Sequence, residues 1–193
     1  MSKKIKIVLV DDHAVVRAGV KRLLEQEDLF EVIGEAESGE KAYQLFGELN
    51  PDVMVMDLSM PGMGGLEAIR RILMRYEKAK ILVLSMHEDL SFANQALKLG
   101  AKGYLIKNTL GDDLVKSIQA ISKGEVFLSD EIAKKIAMQS IVGDQDPIHT
   151  LSAREFEIFR LLAEGLEVEA IATTLNISSK TVSNYQTMIK QKL

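Results

Sequence analysis

The chain has 193 residues, of which 47% are apolar and 27% charged, with a formal net charge of −4 and no cysteine. That length accommodates two small domains, and without cysteine there are no disulfides, thiolate nucleophiles or thiolate zinc sites. No apolar run approaches the roughly 18 residues that span a bilayer, and the N-terminal run is too short for a signal peptide, so a soluble cytoplasmic chain without a membrane partner is expected.

The first predicted element is the apolar run Ile5–Val10, closed by the acidic pair Asp11 and Asp12. The run Val53–Met56 is closed by Asp57, with a tight turn, Met60-Pro61-Gly62, just beyond it. Residues 81–84 lead into Ser85, and Gly103–Ile106 leads into Lys107. Patterns of helical period lie between these short runs, which predicts βα units. Alternating strands and helices form a parallel sheet covered on both faces, whose ligand site lies beyond the carboxyl ends of the strands where the strand order reverses. Asp11, Asp12, Asp57, Ser85 and Lys107 should therefore converge on one edge.

Three carboxylates in one partly desolvated cleft repel each other unless they share a proton or a cation. Oxygen donors without Cys or His suit Mg2+. The chemistry this suggests is phosphoryl transfer: a carboxylate nucleophile forms an acyl phosphate while the ion and a lysine neutralise the equatorial oxygens. Asp57, alone at its strand end, is the expected nucleophile, and the Asp11-Asp12 pair is better suited to grip a metal. Blander roles exist for each residue alone. Asp12 could cap a helix, Asp57 could belong to the turn and Lys107 could be a solvated lysine. The joint placement of all five after successive strands favours the site.

After Lys123-Gly124 the βα rhythm stops, and residues 130–140 carry Ile132, Ala133, Ile136 and Ala137 at helical spacing. Residues 142–147 combine Gly, Pro and acids and read as a linker, with a domain boundary near 141–150. Ser152-Ala153-Arg154-Glu155 is a capping box opening a helix that Gly165 should end. Ile171, Ala172 and Leu175 mark a second helix and Asn176 a tight turn; Ser178-Ser179 can cap a third helix carrying Val182 and Ile189. Two short helices around a tight turn suggest a helix-turn-helix, although many small helical domains scan the same way.

Val-Asp-Asp-His at 10–13, Val-Met-Asp-Leu-Ser-Met-Pro at 55–61, Leu-Ser at 84–85 and Gly-Tyr-Leu-Ile-Lys at 103–107 resemble receiver domains of two-component response regulators. The resemblance covers residues 1–124 and implies a flavodoxin-like, doubly wound, parallel five-stranded α/β domain. Carried over by position, Asp57 matches the phosphoacceptor, Asp11 and Asp12 the Mg2+ acids, and Ser59 a residue whose main-chain carbonyl is a further ligand. Ser85 and Lys107 match the phosphoryl-binding switch residues, and Tyr104 the aromatic that turns inward with the hydroxyl residue.

Residues 151–155, 161–165, 171–172 and 175–182 are similar to LuxR-type DNA-binding domains, and the two halves together look like a NarL/FixJ-type response regulator. The resemblance puts Lys180 and Thr181 near the phosphate backbone and Ser183, Asn184 and Thr187 at base edges, with Lys190 adding positive charge on the same all-α helix-turn-helix domain. Glu167-Val168-Glu169-Ala170 departs from the family's common Ser-Asn-Lys-Glu, and Ser183 and Tyr185 replace its usual Lys and His. Residues 150–193 carry five basic and five acidic side chains, so non-specific DNA affinity should be weak. Family members continue with one more helix, so the domain is expected to lack its final helix.

The expectation is a receiver at 1–124, a linker with a short helix at 125–149 and a helix-turn-helix domain at 150–193. A sensor histidine kinase would phosphorylate Asp57 with Mg2+ and so control binding to promoter DNA, with a possible phosphorylation-dependent homodimer. The alternative is a phosphorylation-controlled interaction module whose output domain binds little DNA. An enzyme is not expected. Phosphohydrolases resemble Asp-x-Asp after the first strand where this chain has Asp11-Asp12, and two acids would oppose the phosphate of a flavin carrier.

Overall fold

The computed structural model describes residues 3–88, 90–109, 111–142 and 147–193. Strand and helix alternate as β1 (Ile5–Val10), α1 (Ala14–Glu25), β2 (Phe30–Ala36), α2 (Gly39–Leu49), β3 (Val53–Met56) and α3 (Gly65–Arg75). They continue as β4 (Ile81–Ser85), α4 (Leu90–Leu99), β5 (Gly103–Ile106), α5 (Asp112–Ser122) and β6 (Phe127–Leu128). The strands are parallel in the order β2-β1-β3-β4-β5-β6, so the order reverses beside β1. Parallel strands covered on both faces need apolar side chains on both. Ile7, Leu9, Val53, Val55, Leu82 and Leu84 pack with Leu24 of α1 and Ile118 of α5. Val8, Val10, Met54, Met56, Ile81 and Val83 pack with Phe46 of α2, Ile69 of α3 and Ala93 of α4.

Among the described residues the sheet has six strands, not five. Phe127 and Leu128 pair in parallel with Gly103 and Tyr104, one step past the point where the sequence pattern ends. Two residues are too few to carry a period, so the short strand left no signal. No apolar run announced β2 either. It is an edge strand whose residues Glu31 to Glu35 are half-exposed or exposed, and Gly34 interrupts it.

Helix α6 (Asp130–Val142) runs slightly beyond the expected 130–140, with Ile132 in the core. Residues 143–146, most of the predicted linker, lie outside the described residues. The chain then forms a 3-10 turn at Pro147–Thr150 and the helices α7 (Ala153–Ala163), α8 (Val168–Thr174) and α9 (Ser179–Lys192). Ser152 and Glu155 form the capping box ahead of α7, and Ser178 accepts the Thr181 N–H ahead of α9. Gly165 follows α7 with φ 86°, and Asn176 takes φ 51° in the turn between α8 and α9. Ile158, Leu161, Ile171, Leu175, Val182 and Ile189 close a small helical core. This core is continuous, through Phe92 and Phe156, with the α2–α4 side of the sheet.

Candidate functional site

Because β1 and β3 are neighbours, the acids that follow them share one cleft at the reversal of strand order, the place where an open α/β sheet binds its ligand. Asp11 and Asp57 are buried, at 5% and 2% exposure. Lys107, arriving at the end of β5, bridges them: its Nζ lies 2.6 Å from Asp11 Oδ2 and 3.2 Å from Asp57 Oδ2. Burial pushes the Asp57 carboxyl above its ordinary value; Lys107 opposes that shift and Asp11 adds to it. Asp57 Oδ1 accepts the Leu58 N–H at 2.8 Å, and Asp11 Oδ1 accepts the His13 N–H at 2.8 Å. Arg17 donates to the Asp11 carbonyl, fixing the first loop to α1.

Asp12 does not cap α1. The N-cap position belongs to His13, which forms no side-chain cap. Asp12 Oδ1 is buried and accepts no hydrogen bond; His13 Nδ1 is 2.8 Å away but outside hydrogen-bonding geometry. Asp11, Asp12, His13 and Asp57 each offer an atom within 4.8 Å of the others. An orphaned buried carboxylate oxygen among further carboxylates is the donor set of a hard cation, so these residues fit one.

Ser85, fully buried at the end of β4, accepts the His87 N–H at 3.1 Å. Tyr104 is also fully buried, and its hydroxyl donates to the His87 carbonyl at 2.9 Å. The Ser59 side chain is engaged with His87, Oγ to Nε2 at 2.7 Å. In the helical domain Lys180, Ser183, Asn184, Thr187 and Lys190 lie exposed along α9 at spacings of three and four residues. Thr181 is half-buried; with Tyr185 it lines a cleft of about 490 Å³ shared with Glu40, Glu67, Arg70 and Arg71.

The response regulator receiver domain family matches residues 7–119, and the bacterial regulatory proteins, luxR family, match residues 149–193. The chain belongs to the NarL/FixJ-type response regulators. It is 37% identical to the transcriptional regulatory protein DegU of Brevibacillus brevis over 207 positions, covering 98% of this chain and 88% of that one. It is also 37% identical to the response regulator GacA of Pseudomonas aeruginosa, over 98% of this chain and 89% of that one. Among solved structures it is similar to RcsB of Salmonella enterica serovar Typhimurium bound to promoter P1flhDC with the phosphomimetic BeF3-. There the TM-score is 0.73 and the identity 30%, over 98% of this chain and 92% of that one. A LuxR-family response regulator from Aurantimonas has a TM-score of 0.70 at 41% identity, over 72% of this chain and 99% of that one.

In this response regulator the helical domain is docked on the receiver. The Gly62 N–H donates to the Thr174 carbonyl at 2.8 Å, Arg154 donates to the Gly62 carbonyl at 3.3 Å, and Gln95 donates to the Leu151 carbonyl at 3.0 Å. Glu157 of α7 lies against Gly64, where a Cβ would overlap its carboxylate. Burial raises Glu157 to about 7, with Arg154 opposing the shift, Glu67 adding to it and Arg160 opposing it. Sequence reasoning missed His87, Phe92, Glu157, Gly64 and Gly65. Only the glycines, two and three residues after the Met60-Pro61-Gly62 turn, carried a local signal, that of a close backbone approach.

Proposed function

We propose that Asp57 accepts a phosphoryl group from a sensor histidine kinase and that this state controls the availability of α9 for promoter DNA. The observation that carries the reading is a nearly inaccessible carboxylate at the switch in strand order, 3.2 Å from a lysine that also holds Asp11. An Asp57 oxygen would attack the phosphorus, forming a P–O bond as the P–N bond to the donor histidine breaks. Lys107 stands where it would neutralise the incoming phosphoryl oxygens, and Ser85 would donate its hydroxyl to one of them. Asp11, Asp12, Asp57 and the main-chain carbonyl of Ser59 would hold Mg2+. When bound, that ion supplies charge neutralisation at the phosphoryl group.

In the output domain, Lys180, Thr181 and Lys190 would meet phosphates, and Ser183, Asn184 and Thr187 would meet base edges. Domain limits of 1–124, 125–149 and 150–193 follow the same reading, with β6 and α6 belonging to the connection. A small phosphodonor with Mg2+ should add one acid-labile phosphoryl group, visible by intact mass. Asp57→Ala should add none, and equal labelling of that variant would remove Asp57 as acceptor.

The altered 167–170 segment favours a second reading, in which the output domain meets a protein partner and little DNA. Glu167 and Glu169 are exposed at the start of α8, where the family commonly has a serine and a lysine. Glu167→Ser with Glu169→Lys should strengthen DNA binding on specific and scrambled duplexes alike, and steepen the salt dependence by about one unit for each further phosphate that the protein neutralises. Anisotropy at several salt concentrations decides between the readings. No gain in a folded variant favours the protein partner.

A further inference from the structure

His87 is tied to the candidate phosphoacceptor site at three points. Its N–H donates to Ser85 Oγ, its carbonyl accepts from the Tyr104 hydroxyl, and its ring Nε2 meets Ser59 Oγ. The same ring lies flat on Phe92 of α4, with centroids 4.0 Å apart and planes at 5°. Phe92 in turn meets Phe156 of α7 edge-on, at 5.0 Å and 86°. Arg160, one turn further along α7, lies 6.0 Å from the Phe92 ring. Three aromatic rings therefore run without a gap from the residues around Asp57 to a helix of the output domain.

We propose that His87, Phe92 and Phe156 form the link through which the state of Asp57 sets the docking of α7, an inference that rests on Asp57 being the phosphoacceptor. The physical step begins at Ser85. A phosphoryl oxygen beside Asp57 draws the Ser85 hydroxyl toward itself, and Ser85 Oγ then loses the geometry in which it accepts the His87 N–H. Tyr104 is already fully buried with its hydroxyl on the His87 carbonyl, so no further inward turn is open to it. The displacement passes to the His87 backbone and to the ring it carries.

A parallel stack and an edge-on pair both depend on ring geometry. Misplacing one shifts the docking equilibrium by roughly three- to tenfold. Phe92 and Phe156 are buried, and packed side chains pass a small shift on as a change of packing instead of absorbing it. Coupling of this kind is reciprocal: whatever loosens α7 also biases His87 toward its phosphorylated position. A purely structural stack would lack that second property.

The test uses the full chain. Its three histidines allow the His87 ring signal to be assigned and followed by NMR while intact mass reports phosphorylation of the same sample. In the parent, phosphodonor with Mg2+ should move the His87 signal, and in Asp57→Ala it should not. Phe156→Met, close in volume and outside the candidate phosphoacceptor residues, should move the unphosphorylated His87 signal toward the phosphorylated position. The remaining response to the donor should fall at least twofold while phosphoryl content stays that of the parent. Phe92→Met reads the same link at its middle ring and covers the case in which the output domain does not tolerate Phe156→Met.

A parent that gains the phosphoryl mass while the His87 signal stays still overturns the link and leaves the phosphoacceptor reading standing. So does a Phe156→Met signal that coincides with the parent before and after labelling. Absence of added mass in the parent overturns the phosphoacceptor reading itself, and the link with it.

Discussion

Asp12 and Asp57 carry similar side chains in different circumstances. Asp57 receives the Leu58 N–H and the Lys107 ammonium, whereas Asp12 keeps a buried oxygen that accepts no hydrogen bond. A buried carboxylate oxygen that accepts no hydrogen bond costs free energy, and a cation at that place offsets the cost. Asp12→Asn keeps the shape and removes one negative charge, so the Mg2+ concentration needed for half-maximal phosphorylation should rise several-fold. A Mg2+ titration read by intact mass checks this, and an unchanged midpoint would count against Asp12 as a ligand. Legibility at this scale was high where chemistry follows a strand end. Asp11, Asp57, Ser85 and Lys107 stood out because each interrupts or closes an apolar run. His87 did not, since one histidine in a loop has no pattern around it.

Among the elements, α3 shows how closely the site depends on its supports. Gly65 begins that helix directly against the strand end that carries Asp57. A Cβ there would overlap the Asp57 carbonyl and come within 2.5 Å of Leu58 Cα. Both are backbone, which does not yield as a flexible side chain does. Gly65→Ala should cost about 1–3 kcal/mol of stability by overpacking, and should slow phosphorylation by displacing Asp57. Gly19, in the middle of α1 with nothing within 4 Å of the place a methyl would take, is the internal control. Gly19→Ala should raise stability by about 0.4–1 kcal/mol and leave labelling unchanged. Thermal unfolding together with the labelling rate separates the two, and equal behaviour would refute the close approach. Elements with a long period or a cap, such as α7 behind Ser152 and α9 behind Ser178, were legible in the sequence. The edge strand β2 and the two-residue β6 were not, because partial exposure and brevity erase periodicity.

For the whole molecule, the docking of the two parts contains a titratable group. Glu157 faces Arg154 and Arg160 from its own helix and Glu67 from α3, and Glu67 is itself engaged by Arg70 and Arg71. Docked, Glu157 is raised from 4.5 to about 7 by burial, with Arg154 opposing. Undocked, it returns to the ordinary range, so the docked state binds the proton more tightly. The sign follows: docking is strongest below about 4.5, weakens as pH rises, and has lost this contribution above about 7. At about 1.4 kcal/mol per pH unit the full span is roughly 3 kcal/mol. Small-angle scattering should therefore show expansion between pH 4.5 and about 7.5. Glu157→Gln should stay compact throughout, and an equal expansion in that variant would sink the idea.

The sequence by itself determined the βα rhythm, the five polar residues that close its strands, the capping box at Ser152 and the turn at Asn176. Each is a local matter, set by side-chain period, by capping hydrogen bonds or by permitted φ, and each is written within a few neighbouring residues. Tertiary structure alone decided that Lys107 bridges Asp11 and Asp57, that Asp12 keeps an orphaned oxygen, and that His87 rests on Phe92 and Phe92 on Phe156. It also decided that Glu157 is buried against Gly64. Such contacts join residues tens of positions apart, and their energies depend on distance, desolvation and ring geometry, which no local pattern encodes.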